Sequence, residues 1–290
     1  MESNNLHRLI NSAALTKKSP AGEDYRALSL SASKELAKKN GISRQQVEIA
    51  ALEAGIIPER YQRSLGTVGL EGQIRLLKST VGVVGAGGLG GFVMELMARM
   101  GVGRILVVDD DVFADSNLNR QLLANENNLH KPKADAAAKR VSEINGAVSV
   151  KAFCRRGDAS NLVSIFEGCD LVLDCLDNLS SRYDLEKVSR QLGVIMIHGA
   201  IAGFLGQLAV IRPEYPLLEM IYGASGDGRA DKGAEVQLGN PATTPAMLAS
   251  WQANEAVKIL AGLESVLPRD KMLIIDMQTG ESYRIEVTAG

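Results

Sequence analysis

The sequence predicts an α/β protein built on a doubly wound, mostly parallel sheet extended by antiparallel strands, with a small α-helical appendage at the N-terminus. Three observations carry this. Apolar strand patterns alternate with helix patterns from residue 80 to about 201, the signature of a parallel sheet with right-handed crossovers. The first of these strands, "TVGVVGAG", is almost unbroken in its apolar character, as strands covered on both faces are. A glycine-rich turn, "GAGGLGG", joins that strand to the helix that follows.

The elements follow in order. Residues 1–26 read as a polar, weakly periodic leader. "SASKELAKKNG" predicts a helix capped by Gly41, and "ISRQQVEIAALEAG" a second one with Ser43 as N-cap and Gly55 as its stop. This places a helical extension at 1–59 and the main domain at 60–290. The two short helices with a tight turn suit packing, or gripping a partner, better than DNA, since the second carries few basic residues. A helix is expected from about Leu70 to Lys78. Then come "LGGFVMELMARMG" (helix), "RILVVDDD" (strand), "KADAAAKRVSEING" (helix), "VSVKAFCR" (strand), "ASNLVSIFEG" (helix), "DLVLDCLD" (strand), "SSRYDLEKVSRQLG" (helix) and "VIMIHGAI" (strand). "GQLAVIRP" lacks a preceding helix and is expected to run antiparallel. A long segment with glycines at 223, 226, 228, 233 and 239 reads as a binding loop or a disordered segment. A last helix starts at Thr244 or Pro245, with Trp251 expected in the core, and a closing hairpin turns at Thr279–Gly280.

Composition narrows the function classes. The 290 residues are 46% hydrophobic and 23% charged, with a net charge of −2, which disfavours a nucleic-acid partner. No apolar run is long enough to cross a membrane, and a cytoplasmic setting is expected. Cys154, Cys169 and Cys175 form no C-x-x-C pair. A disulfide framework is disfavoured, and a four-cysteine zinc site cannot be made. Cys169 and Cys175 read as small buried hydrophobes. Of the three histidines, His198 reads as a core residue or one just behind the site, and His7 and His130 as solvent-facing.

The chemistry-bearing residues cluster in order. Gly85, Gly87, Gly88 and Gly90 fit G-x-G-x-x-G between strand and helix, a Rossmann-like phosphate cradle at a helix N-terminus. Asp109 ends the next strand 21 residues after Gly88, where a carboxylate accepts ribose hydroxyls; Asp111 follows it. This pairing predicts a nucleotide without choosing between NAD and ATP. "DSNLNRQ", with Asn117, Arg120 and Gln121, and then Lys133 at the mouth of the following helix, bring two cations near the turn. Hydride transfer does not need them; nucleotidyl transfer does, because charge must be stabilised as pyrophosphate leaves. "DCLDN" supplies Asp177 and Asn178 at a strand's carboxyl end, where one carboxylate facing phosphates is a natural Mg2+ ligand.

From "RYQRSLG", "GAGGLG", "VVDDDVFADSNLNRQ", "KPKAD", "DCLDN", "GAIAGFLGQLAV" and "QANEAVKILAG", in this order and spacing, the chain from Arg60 onward resembles the ATP-dependent activating enzymes that include MoeB, ThiF, HesA and the adenylation domains of ubiquitin-activating enzymes. The resemblance implies ATP and Mg2+ as cofactors and a homodimer. It also implies a partner, a small ubiquitin-like sulfur carrier of the MoaD or ThiS kind ending in Gly-Gly, whose terminal carboxylate becomes an acyl-adenylate. By resemblance, Gly88 contacts the nucleotide and Asp109 the ribose. Asn117, Arg120, Gln121 and Lys133 serve the phosphates, Asp177 holds Mg2+ with Asn178 beside it, and Arg63 reaches ATP from the neighbouring subunit. The chain departs from the family in lacking two C-x-x-C pairs, so no zinc is expected. It also lacks a cysteine in the segment before the last helix, so adenylation without a cysteine-bound intermediate is expected. Competing readings are an adenylating enzyme for a peptide or a modified tRNA nucleoside, a catalytically idle nucleotide-binding scaffold, and an NAD-dependent oxidoreductase.

Overall fold

A computed structural model describes residues 2–223, 231, 233–263 and 267–287. The expected glycines at 226 and 228 lie outside the described residues.

The first 58 residues build a small α+β unit. Helix α1 (Glu2–Ala13) and strands β1 (Leu15–Lys18) and β2 (Asp24–Leu28) occupy the stretch read as a leader. That expectation is corrected. The segment is short, but Ile10 and Leu28 are fully buried with Leu36, Val47 and Ile56 in a core of its own, so tertiary packing orders what propensity leaves weak. Helices α2 (Leu30–Asn40) and α3 (Arg44–Glu53) follow as expected. Gly41 caps α2 in the left-handed region, and Ser43 forms a reciprocal capping box with Gln46. Strand β3 (Ile57–Pro58) completes a three-stranded sheet.

Helix α4 (Leu65–Lys78) begins five residues before the expected point and is broken at Gly69, whose φ of 70° is not helical. The main domain then alternates as predicted: β4 (Thr80–Val84), α5 (Gly88–Met100), β5 (Arg104–Val108), α6 (Lys133–Ile144), β6 (Ser149–Phe153), α7 (Ala159–Phe166), β7 (Leu171–Asp174), α8 (Leu179–Leu192), β8 (Ile195–Ala202) and β9 (Leu205–Ile211). The expected loop contains two short helices, α9 (Leu217–Tyr222) and α10 (Glu235–Leu238). The chain ends in α11 (Thr243–Ala261) and the hairpin β10 (Lys271–Asp276) and β11 (Glu281–Glu286).

The eight strands lie in the order β11-β10-β9-β8-β7-β4-β5-β6. β6, β5, β4, β7 and β8 are parallel; β9, β10 and β11 extend the sheet antiparallel, as the missing helix before β9 implied. Alternation along β4 sends Val81 and Val83 to the layer of α5, α6 and α11, and Val84 to the layer of α7 and α8. A Cβ on Gly82 would meet the Phe166 ring at 2.7 Å, so this glycine admits α7. The chain order reverses between β4 and β7, which makes the crevice outside their carboxyl ends the place for a ligand.

Two side chains depart from expectation. Trp251 is 39% exposed on α11 rather than in the core, because small residues such as Ala249, Ala253 and Ala256 supply that helix's buried face. His7 is half-buried; His130 is exposed.

Candidate active site

The glycine turn is built by close contact. Gly85 has φ +94°, and a Cβ there would lie 2.4 Å from the Cys175 carbonyl; a Cβ on Gly90 would lie 1.8 Å from the Gly85 carbonyl. Only glycine fits either position, so β4, β7 and the first turn of α5 approach to backbone distance. Around Gly87 and Gly88 there is room: their nearest neighbours would be the Gln121 amide at 3.5 Å and Pro245 at 3.4 Å. The first-turn amides of α5, which have no partner within a helix, face this space.

Asp109 buttresses the turn. Its carboxylate accepts from the Ala86 amide at 2.6 Å and the Asp111 amide at 2.8 Å. Burial pushes its carboxyl above the usual range, opposed by those two amides and by the Lys133 charge. Lys133 is the first residue of α6; its side chain is 7% exposed and its ammonium lies 2.8 Å from the Asp111 carboxylate. Asn117 is buried and closes its own turn by accepting from the Ala114 amide. Arg120 folds back, donating to the Ser116 carbonyl and the Asn119 side chain. Gln121 is buried, and its Oε1 is a buried oxygen with no hydrogen-bond partner. The Gln121 atom nearest Gly87 is the side-chain nitrogen, a donor beside the open glycine cradle. The fold thus brings Gly85, Gly87, Gly88, Asp109, Asp111, Asn117, Gln121 and Lys133 to one crevice, with Arg120 at its edge.

Asp177 and Asn178 sit across the switch point. β7 stops at Asp174, so they lie on the loop beyond the strand, two and three residues after Cys175, whose amide donates to the Val84 carbonyl. Asp177 is exposed, and Asn178 caps α8 by accepting from the Ser181 amide. A single exposed carboxylate at the carboxyl end of a parallel strand is the donor type Mg2+ takes alongside waters and phosphate oxygens. Among the described residues no group of three or more His, Cys, Asp or Glu forms a metal cage.

Arg63 is elsewhere. It is exposed and lines a groove of about 360 Å³ with Met97 and Met100, near the end of α5 opposite to Gly88. Cys169 and Cys175 are buried, as expected, and Cys154 is exposed. Burial raises the thiols of Cys169, to about 12, and of Cys175, well above the usual range, which disfavours a thiolate at either.

Sequence reasoning placed His198 in the core or just behind the site, as found, but missed its partners and the rest of the polar layer under the crevice. Gln252 on α11 donates to the carbonyls of Asp174 and Ile197. His198 is fully buried between Asp174 and Tyr222, its basicity lowered by burial and restored in part by Asp174. Asn119 reaches the Asn240 carbonyl, tying the "DSNLNRQ" loop to the segment before α11. No spacing within one element signals these contacts; each joins residues far apart in the chain.

The ThiF family model matches residues 61–289. The chain belongs to the ThiF family. The chain is 40% identical over 206 residues to the SAMP-activating enzyme E1 of Haloferax volcanii, covering 70% of this chain and 75% of that one. It is 37% identical to a sulfur carrier protein adenylyltransferase of Thermus thermophilus (71% and 78% covered), and 29% identical to the sulfur carrier protein ThiS adenylyltransferase of Escherichia coli (77% and 88%). Among solved structures, the microcin C7 biosynthetic enzyme MccB in complex with N-formylated MccA superposes with a TM-score of 0.68 at 18% identity, covering 89% of this chain and 83% of that one. PaaA superposes at 0.66 and 20% identity, covering 79% and 82%. These two likenesses concern the fold. No helix among the described residues is long and apolar enough to cross a membrane.

Proposed function

We propose that this ThiF-family chain is an ATP-dependent adenylyltransferase that activates the C-terminal glycine carboxylate of a ubiquitin-like sulfur carrier protein. The carboxylate oxygen attacks the α-phosphorus of ATP, the bond to the bridging oxygen breaks, and pyrophosphate leaves with an acyl-adenylate formed. The observation that carries the reading is the crevice at the β4–β7 switch point. There the glycine cradle leaves room over Gly87 and Gly88, the Gln121 side-chain nitrogen lies beside Gly87, and Asp109 and Asp111 tie the cradle to the buried Lys133. The names of the relatives at 37–40% identity supply the acceptor class.

Each residue then has a task. The α5 N-terminus and Gly88 hold phosphate through backbone amides. Asp109, which keeps lone pairs beyond its two amide contacts, takes the ribose hydroxyls. Lys133 exchanges Asp111 for phosphate oxygens, and Arg120 swings from its own loop to the same charge. Asp177 would hold Mg2+, which when bound offsets charge on the departing pyrophosphate. The protein performs no covalent chemistry in this scheme; alignment and charge stabilisation carry the rate. With no cysteine between residues 176 and 290, the adenylate passes on without a thioester from that half of the chain.

Arg63 completes the proposal. Thirteen residues of α5 span about 20 Å, which separates Arg63 from its own chain's cradle. It is assigned to the ATP of a second copy, in a homodimer with two composite sites. A cytoplasmic setting belongs to the same reading. The test is ATP–pyrophosphate exchange with MgCl2 and candidate carriers ending in Gly-Gly: exchange is expected only with the cognate carrier, and its absence with every one would sink the assignment.

A further inference from the structure

Asp174 is fully buried, and its two carboxylate oxygens serve different elements. Oδ1 accepts from the Leu176 amide at 3.0 Å, and Oδ2 lies 2.6 Å from Nδ1 of His198. The other ring nitrogen of His198 is 3.0 Å from the Tyr222 hydroxyl, which donates to Gln207 Oε1 at 2.8 Å. Arg182 donates to the Leu176 carbonyl at 2.7 Å, and its Nε lies 3.5 Å from Asp174 Oδ2. The backbone amide and carbonyl of Leu176, the residue before Asp177, are therefore both held by side chains that meet at Asp174.

A buried carboxylate needs partners on both oxygens to keep one orientation. Arg182 is too distant at Nε to fix it alone. The rigid, two-ended imidazole of His198 does so, and passes the constraint to Tyr222 at the end of α9, where Tyr183 also grips the Gly223 carbonyl. We propose that His198 is a positioning residue: through Asp174 it holds the Leu176–Asp177 loop so that the Asp177 carboxylate faces the metal–phosphate site, with Tyr222 anchoring that geometry to the end of α9. The proposal rests on the Mg2+ role assigned above to Asp177.

The test is ATP binding to the full-length protein by titration calorimetry, in MgCl2 and in EDTA, with thermal unfolding in parallel. Wild type binds ATP more tightly in MgCl2. His198→Leu loses about tenfold of the affinity in MgCl2 and less than about twofold in EDTA. His198→Asn, which puts an amide nitrogen near the place of Nδ1, retains most of the magnesium effect. Tyr222→Phe, which removes only the hydroxyl, loses part of it. A histidine that merely packs would lower the melting temperature and leave the MgCl2-to-EDTA ratio alone. That unchanged ratio in His198→Leu overturns the inference; if His198→Leu does not fold, an unchanged ratio in Tyr222→Phe does so. A wild type with no magnesium effect defeats the Asp177 assignment itself, and this inference with it.

Discussion

Lys133 shows how one residue can be legible in type and hidden in state. Its place at the start of a helix, 46 residues after Gly87, was readable in the sequence. Its ion pair with Asp111, at 2.8 Å, was not, because Asp111 lies on the loop that leaves β5 and only the folded crossover brings the two together. The pair stores a buried cation in a defined position until phosphate replaces the carboxylate. Lys133→Ala is expected to lower the rate of pyrophosphate exchange by about a hundredfold while changing the KM for ATP by only a few fold, since charge develops mainly as pyrophosphate departs. Asp177 is exposed and outside any core cluster, so Asp177→Ala should abolish magnesium-dependent exchange with an unchanged thermal midpoint. Wild-type exchange in that variant would remove Asp177 from the metal site.

At the scale of elements, the strand–turn–helix unit was the most readable part. Unbroken apolar strands, C-terminal glycine caps at Gly41, Gly101 and Gly193 and the antiparallel turn into β9 all follow from local pattern. The reason Gly90 must be glycine lies between elements: its missing Cβ admits the Gly85 carbonyl. Gly90→Ala should push α5 from β4, destabilise the domain by more than about 1 kcal/mol and weaken ATP binding further than it lowers the melting temperature would suggest. Intact nucleotide affinity measured for this variant would separate the cradle from the site. The first two strands and α1 escaped sequence reading because short amphipathic pieces acquire structure only when a neighbour covers their apolar side, and here the covering residues come from α2 and α3.

At the scale of the molecule, the N-terminal unit docks on the edge of the sheet where the strands begin. Tyr61 is buried with Leu52 and Leu77; its hydroxyl donates to Glu48 and accepts from Asn145; Gln45 donates to the Leu77 carbonyl. Those contacts precede β4, β5 and β6, so the unit stands at the end of the sheet opposite to its own chain's crevice. Burial raises the Glu48 carboxyl above its ordinary value, with Arg60, Tyr61 and Arg44 opposing. The folded chain therefore keeps this proton to higher pH than the unfolded chain, and the stability it contributes is whole below the ordinary glutamate value and lost as pH rises through the raised one. Glu48→Gln, which can still accept from Tyr61, is expected to be more stable than wild type near pH 8, with the difference shrinking towards pH 4, as read by thermal unfolding. A second expectation concerns assembly. If Arg63 serves the partner's ATP, inactive Arg63→Ala and inactive Asp177→Ala chains, mixed and allowed to exchange subunits, should regain about a quarter of wild-type exchange, because half the dimers would carry one complete site. No recovery on mixing would place Arg63 outside the site.

The sequence by itself determined the order of elements, the sheet class, the nucleotide cradle and the identity of the charged residues around it. These depend on spacing along one chain, on the two periods of helix and strand, and on the glycine requirement of a tight turn. Tertiary structure alone decided that Asp111 holds Lys133, that the Gln121 side-chain nitrogen lies beside Gly87, that Asp174, His198 and Tyr222 underlie the Asp177 loop, and that the N-terminal unit sits away from its own crevice. Each of these pairs residues from different elements, and a hydrogen bond across elements is fixed by a separation of about 3 Å in space, for which distance along the chain holds no record.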